Sequence, residues 1–274
     1  QIRTVEPEIV EAAAAALARG EVRVPEDCNT LKEAVGRVSK KYLWETYDWL
    51  TTIVLGKGEH QIDGDFLEIR SAMNIVGDPG VAKEKIVVVG GICFNNGIQG
   101  NCHLQHLTLR QAKVHGVFGF SSFTMADVLV EQCLFHGVCA YGTGVVGRCT
   151  NVEVRQCGKS GVLASNGASI TLIGAKTTVH HNCTDGDSYH YGLRVFGSSS
   201  STIQLVSPLT KEQVSLDNGG GGNWGAGVGG DINQIKTMSE AEVEAAAATA
   251  ARGEVRVPED CKTLKEAVER VHDD

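Results

Sequence analysis

A chain of 274 residues has room for one elongated domain or two compact ones, and its 33 glycines suit many turns. With 5 prolines and only 5% aromatic residues, the core must be largely aliphatic. A net charge of −8 argues against a general nucleic-acid binder, and no stretch nears the roughly 20 apolar residues of a membrane span.

In chain order, the first segment is an alanine-rich stretch, VEAAAAALARG (10–20), which reads as a helix. A short strand, Val22-Arg23-Val24, follows. A second helix opens at Thr30-Leu31-Lys32-Glu33, whose threonine and glutamate have capping-box spacing. The same opening returns near the end of the chain: GEVRVPEDCNTLKEAVGRVS (20–39) recurs as GEVRVPEDCKTLKEAVERVH (253–272), offset by 233. Residues 1–49 are therefore expected to form an α-helical cap, and 236–274 a second copy that begins a following unit of a tandem array.

Between these ends, TIVLGKGEHQI (52–62), LEIRSAMNIVGDPG (67–80) and IVVVGGICF (86–94) read as short strands separated by glycine and aspartate turns. A repeat then emerges: LTLRQAKVHGV (107–117), VLVEQCLFHGV (128–138), VEVRQCGKSGV (152–162), TVHHNCTDG (178–186) with YGLRVF (191–196), and a weaker VSLDNGG (214–220). Its amides, Gln111, Gln132, Gln156, Asn182 and Asn218, are separated by 21, 24, 26 and 36 residues. A helical solenoid needs units of fixed length, whereas a coil of strands tolerates turns of variable size. The spacing predicts an all-β, single-stranded parallel β-helix over 50–235, of roughly seven coils.

Side chains alternate across a strand, so the copies sort into columns. Leu107/Val128/Val152/Thr178/Val214 and Leu109/Val130/Val154/His180/Leu216 are expected to face inward. Arg110/Glu131/Arg155/His181/Asp217 should face outward, as a cross-rung charge ladder or a strip for a charged polymer. The amides are expected to stack in an internal turn, followed by a small or thiol column Ala112/Cys133/Cys157/Cys183. Gly116, Gly137, Gly161 and Gly192 should allow the bend into the next strand. Nine cysteines without a CxxC pair read as buried free thiols. With no recognisable signal peptide after Gln1, the thiols lean towards an intracellular location, and the compartment stays open.

Two groups carry candidate chemistry. The long turn CTDGDSYHYG (183–192) holds Asp185, Asp187, Tyr189 and His190, near His181 and Arg155. A tyrosine, a histidine and an acid could move a proton at a sugar C5 while arginine or a divalent cation such as calcium neutralises a carboxylate. The same residues also suit an Asp-Gly turn covered by aromatic rings. His115 and His136 lie one coil apart, in line with Ser160 and Tyr191. They could share a metal, or simply face solvent from a turn, since no carboxylate or thiol of the column completes a site. The segment GGGGNWGAGVGG (219–230) lacks the Gly-Lys-Ser/Thr of a phosphate loop and reads as a loop or linker.

The runs Thr30-Leu31-Lys32-Glu33-Ala34-Val35, Thr52 to His60 and Met73-Asn74-Ile75-Val76-Gly77 resemble the amino-terminal part of pectin-lyase-like right-handed parallel β-helix proteins. The resemblance spans roughly 20–220 and implies their fold. Members of that superfamily include polysaccharide lyases, glycoside hydrolases, pectin esterases and uronan epimerases. This chain lacks the Gly-His-Gly with paired aspartates, the Gly-Tyr-Gln-Asp segment and the acidic calcium cluster with arginine that mark several of those enzymes. The leading expectation is therefore a non-catalytic repeat scaffold or binding module, needing no cofactor. Its partners would be a polysaccharide or protein and neighbouring modules, with neither nucleic acid nor membrane. The alternative is a lyase or epimerase acting on an acidic polysaccharide through the 185–190 turn.

Overall fold

Apolar and polar residues alternate here at period two, and the alternation is broken at intervals by residues that tolerate a left-handed backbone. Such a strand turns corners instead of running straight. The computed structural model, which describes residues 20–39 and 51–252, shows the strands stacked as a parallel β-helix. The chain divides into two compact units, 1–237 and 238–274. The alanine-rich stretch 10–19, the predicted cap boundary at 49 and the recurring segment 253–272 lie outside the described residues.

The first unit has three sheets. The first runs through Glu21–Val24, Thr52–Leu55, Asn74–Gly77, 103–105, 123–126, Val146–Thr150, Ser169–Ile173 and Thr202–Val206. The second takes 58–61, 86–89, 107–110, 128–131, Glu153–Arg155, Thr178–His180 and Ser215–Leu216. The third takes 66–69, 91–94, Val117–Gly119, Val138–Tyr141, Val162–Ser165, Leu193–Phe196 and Trp224–Ala226.

Left-handed residues make the corners. Between the first and second sheets stand His106, Asp127 and Asn151, at φ of 53°, 53° and 52°. After the second sheet, Gln111, Gln132, Gln156, His181 and Asp217 all lie between 51° and 56°. This corner corrects the expected amide column. The three glutamines are exposed, and their one mutual bond, Gln132 Nε2 to Gln156 Oε1, is long at 3.4 Å. From the fourth copy onward the register differs by one residue from the expected alignment. Val154 pairs with Val179 and Arg155 with His180, so His181, not Asn182, stands beneath Gln156. Val179 and Ser215 therefore point inward, whereas His180 is half-buried and Leu216 is 43% exposed. Asn182 and Asn218 occupy the interior column of Ala112, Cys133 and Cys157, and Cys183 falls one position beyond it.

The core follows the inward columns. Val88, Leu109, Val130, Val154 and Val179 are paired rung upon rung, each with 0% exposure. Phe94 and Phe123 stack inside the coil at 5.5 Å. Gly116, Gly137, Gly161 and Gly192 line one edge of the third sheet, but none has a left-handed φ. Their role is close approach, not bending: a Cβ at Gly137 would lie 2.3 Å from Val154 Cγ1 and 2.8 Å from the Gly161 carbonyl.

At the amino-terminal end, helix α1 (Leu31–Val38) is capped by Thr30, whose hydroxyl accepts from Glu33 N–H at 3.1 Å. The Glu33 carboxylate accepts from Asn29 N–H, one residue before the expected capping-box partner. Leu31, Ala34 and Val35 join Val22, Val24, Ile53 and Leu55 in the core, so the helix closes the apolar end of the coil. In the second unit, a helix at Glu240–Arg252 begins with a capping box, Ser239 Oγ accepting from Glu242 N–H and the Glu242 carboxylate accepting from Ser239 N–H.

Candidate binding face on the third sheet

The outward positions of the third sheet place Cys93, Phe118, Cys139, Leu163 and Arg194 in one register column. Two residues on, Phe120, Tyr141 and Phe196 lie on the same outer side, because alternate residues of a strand share a face. The result is a strip of rings outside the coil. Phe118 lies 4.3 Å from Phe120, which meets Tyr141 edge-on at 5.6 Å. His115 meets Phe118 at 4.7 Å, and Phe66 stands 6.1 Å from both. The phenylalanines are half-buried and Tyr141 is 40% exposed. Lys159 places its ammonium 4.2 Å above the Phe135 ring, adding a cation to one flank.

A line of imidazoles joins this strip. The His115 and His136 rings are nearly parallel, 5.1 Å apart at 9°, and His136 meets His190 at 5.4 Å. His136 N–H donates to His115 Nδ1 at 3.3 Å, and Arg194 Nη1 donates to His190 Nδ1 at 3.0 Å. Both acceptor nitrogens are therefore unprotonated. Burial, with Lys159 nearby, pushes His115 down to about 4. Burial also holds His136 well below its ordinary value, reinforced by His115, His190 and Arg194. His190 is lowered by burial and Arg194, against the opposing pull of Asp185 and Asp187. All three rings are neutral at pH 7. His136 is thus not the solvent-facing turn residue that the sequence suggested; it is 7% exposed. Among the described residues, no three His, Cys, Asp or Glu donors converge on a metal position.

The other sequence candidates do not converge. Arg155 is engaged on the second sheet, bound to Glu131 and Glu153 at 2.8 Å. Arg110 holds the other oxygen of Glu131 at 2.7 Å, so the first three members of the expected charge ladder are present. His181 is exposed at a corner, 2.7 Å from His180 Nδ1. Within the long turn, Asp185 accepts from Asp187 N–H and Asp187 accepts from Tyr189 N–H, both local turn bonds. Tyr189 is 73% exposed, and only His190 turns inward, 3.6 Å from Asp187.

Sequence reasoning missed Phe118, Phe120, Tyr141, Lys159 and Arg194. The available signal was Phe118-x-Phe120, a pair at strand spacing just beyond the repeated segment. No known protein family, no curated protein and no solved structure matches this chain.

Proposed function

We propose that this chain is a non-catalytic β-helix scaffold that binds a linear polysaccharide along the outer face of its third sheet. The supporting observation is the ring strip, because most rings of a β-helix with an aliphatic core lie outside that core. Half-exposed rings on a polar surface mark interaction sites, and their negative faces attract the polarised C–H groups of sugar rings. Rungs lie about 4.8 Å apart, so Tyr141 and Phe196, two rungs from each other across Ser165, extend the strip along the coil in the direction a linear polymer would follow. The local turn bonds of Asp185 and Asp187, and the ion pairs of Arg155, support binding over proton transfer. We also read the fold as pectin-lyase-like, on the sequence resemblance, and the chain as one module of a tandem array, on the recurrence of 20–39 at 253–272.

Affinity electrophoresis through gels containing neutral and acidic polysaccharides tests this reading. At least one polymer should retard the protein. Phe120→Ala with Tyr141→Ala should weaken that retardation by at least about tenfold, equivalent to about 1.4 kcal/mol. Unchanged retardation in the double variant would place the ligand elsewhere. Accumulation of ultraviolet-absorbing unsaturated sugars in the same mixtures would replace the scaffold reading with that of a lyase.

A further inference from the structure

Arg194 is more deeply buried than Arg23, Arg37, Arg110, Arg148 and Arg155, which are half-buried. Arg23, Arg37, Arg110 and Arg155 each hold a carboxylate at 2.7 or 2.8 Å. Arg194 is only 9% exposed, and among the described residues no carboxylate reaches it within 4.0 Å. Its guanidinium donates once, to His190, and lies 4.8 Å over the Phe196 ring. Its Nε has no hydrogen-bond partner, and neither does Nδ1 of the adjoining His136. A buried charge without a counter-charge is destabilising, and an unsatisfied buried donor adds to that penalty.

The guanidinium lies beneath the glycine-rich loop 219–230, in which eight of the twelve residues are glycine. A Cβ at Gly227 would lie 2.8 Å from Arg194 Nη2, and one at Gly225 would lie 2.4 Å from the Tyr191 ring. The loop is tied down by Gly221 N–H to the His190 carbonyl and Gly227 N–H to the Val195 carbonyl. Glycine makes this segment, which includes the sheet strand Trp224–Ala226, thin enough to close over the arginine. We propose that Arg194 is the binding residue of an oxyanion site, taking a carboxylate or sulfate group beneath this loop with His190 and His136 beside it.

The titratable and charged groups that act on the site are Lys159, the three imidazoles, Asp185, Asp187, Tyr191 and Cys183. Protonation of His190 or His136 adds positive charge, so anion affinity should rise as pH falls below about 6.5. The oxyanion could be free or carried by a polymer; only the second source rests on the binding reading above.

The test compares sodium sulfate and sodium acetate with sodium chloride at matched ionic strength, using the whole chain. Sulfate or acetate should raise the melting temperature beyond chloride, more at pH 5.5 than at pH 8, and Arg194→Gln should lose the difference. Because that variant could misfold, the Nε–H resonance of Arg194 is followed by NMR in the unmodified protein, where sulfate should shift it. An anion effect equal to that of chloride, an equal effect in Arg194→Gln, or an unmoved Nε–H signal would overturn the site. A uronic-acid oligosaccharide and a neutral one of equal length then separate the sources. Tighter binding of the acidic chain, lost in Arg194→Gln, supports a polymer-borne group. A sulfate response without oligosaccharide preference supports a free anion and leaves the polysaccharide reading to the Phe120 and Tyr141 variants.

Discussion

The side-chain oxygen of Asn218 accepts two hydrogen bonds from Asn182, one from its backbone N–H and one from its side-chain amide, both at 3.0 Å. Asn182 repeats the arrangement one coil earlier. Its Oδ1 accepts from Cys157 N–H at 3.1 Å, and its Nδ2 also donates to the carbonyls of Val154 and His180. The residue is 1% exposed, so no water replaces a lost partner. Asn182→Leu should destabilise the fold by about 3 kcal/mol in urea unfolding, since several buried groups lose their partners together. Gln132→Leu, at an exposed corner, should stay within about 0.5 kcal/mol of the parent. Equal effects at the two positions would mean that the buried ladder does not stabilise the coil.

The coil is legible in the sequence because its first three copies keep the same order of apolar, charged, amide, small and glycine positions. The fourth copy falls out of register when residue types are aligned instead of backbone conformations. Glutamine at 111, 132 and 156 and histidine at 181 share a left-handed corner, a requirement that different side chains can meet. Asn182 then moves inward, where an amide can bond above and below. The ring strip is harder to read. Its residues sit at outward positions after the repeated segment, where packing imposes no period, and Arg194 is separated from His136 by 58 residues.

The glycine column yields a contrast between two kinds of glycine. At Gly137 the φ is ordinary, and a methyl group would collide with Val154 Cγ1 and the Gly161 carbonyl of the next coil. Gly137→Ala should cost about 2 kcal/mol through overpacking. Gly36 lies in helix α1, where an added Cβ would meet nothing within 4 Å, and the recurring segment has Glu269 in its place. Gly36→Ala should stabilise by about 0.5 to 1 kcal/mol. Thermal melts of the two single variants must move in opposite directions for this account to hold.

The thiols should be inert in the folded state. Burial pushes Cys139 and Cys149 up to about 12, and Cys28 and Cys93 up to about 11, so almost no thiolate exists at pH 8. All eight described cysteines are free and buried. Alkylation followed by peptide mapping should find them unlabelled after minutes under native conditions and fully labelled in denaturant. Rapid native labelling of Cys133 or Cys157 would contradict the packing of the interior column.

The imidazole line sets the acid response. His115, His136 and His190 have folded pKa values below the roughly 6.5 of an unfolded chain. Between those values the unfolded state binds more protons, so stability falls as pH drops below about 6.5, and the loss from His115 levels off below about 4. His106 acts in the opposite sense: the Asp127 carboxylate at 2.7 Å raises it, so its contribution is full below about 6.5 and is lost as pH rises through its folded value. Glu131 and Asp127, held down by their cationic partners, add a further loss only in stronger acid. Three histidines against one give a net decline from neutrality towards pH 5. Urea unfolding should therefore show lower stability at pH 5.0 than at pH 7.5. His115→Phe keeps a ring among Phe66, Phe118 and Phe135 but removes one titrating group, so the difference between the two pH values should shrink. A parent protein equally stable at both, or a variant with an unchanged difference, would show that these imidazoles do not control the acid limb.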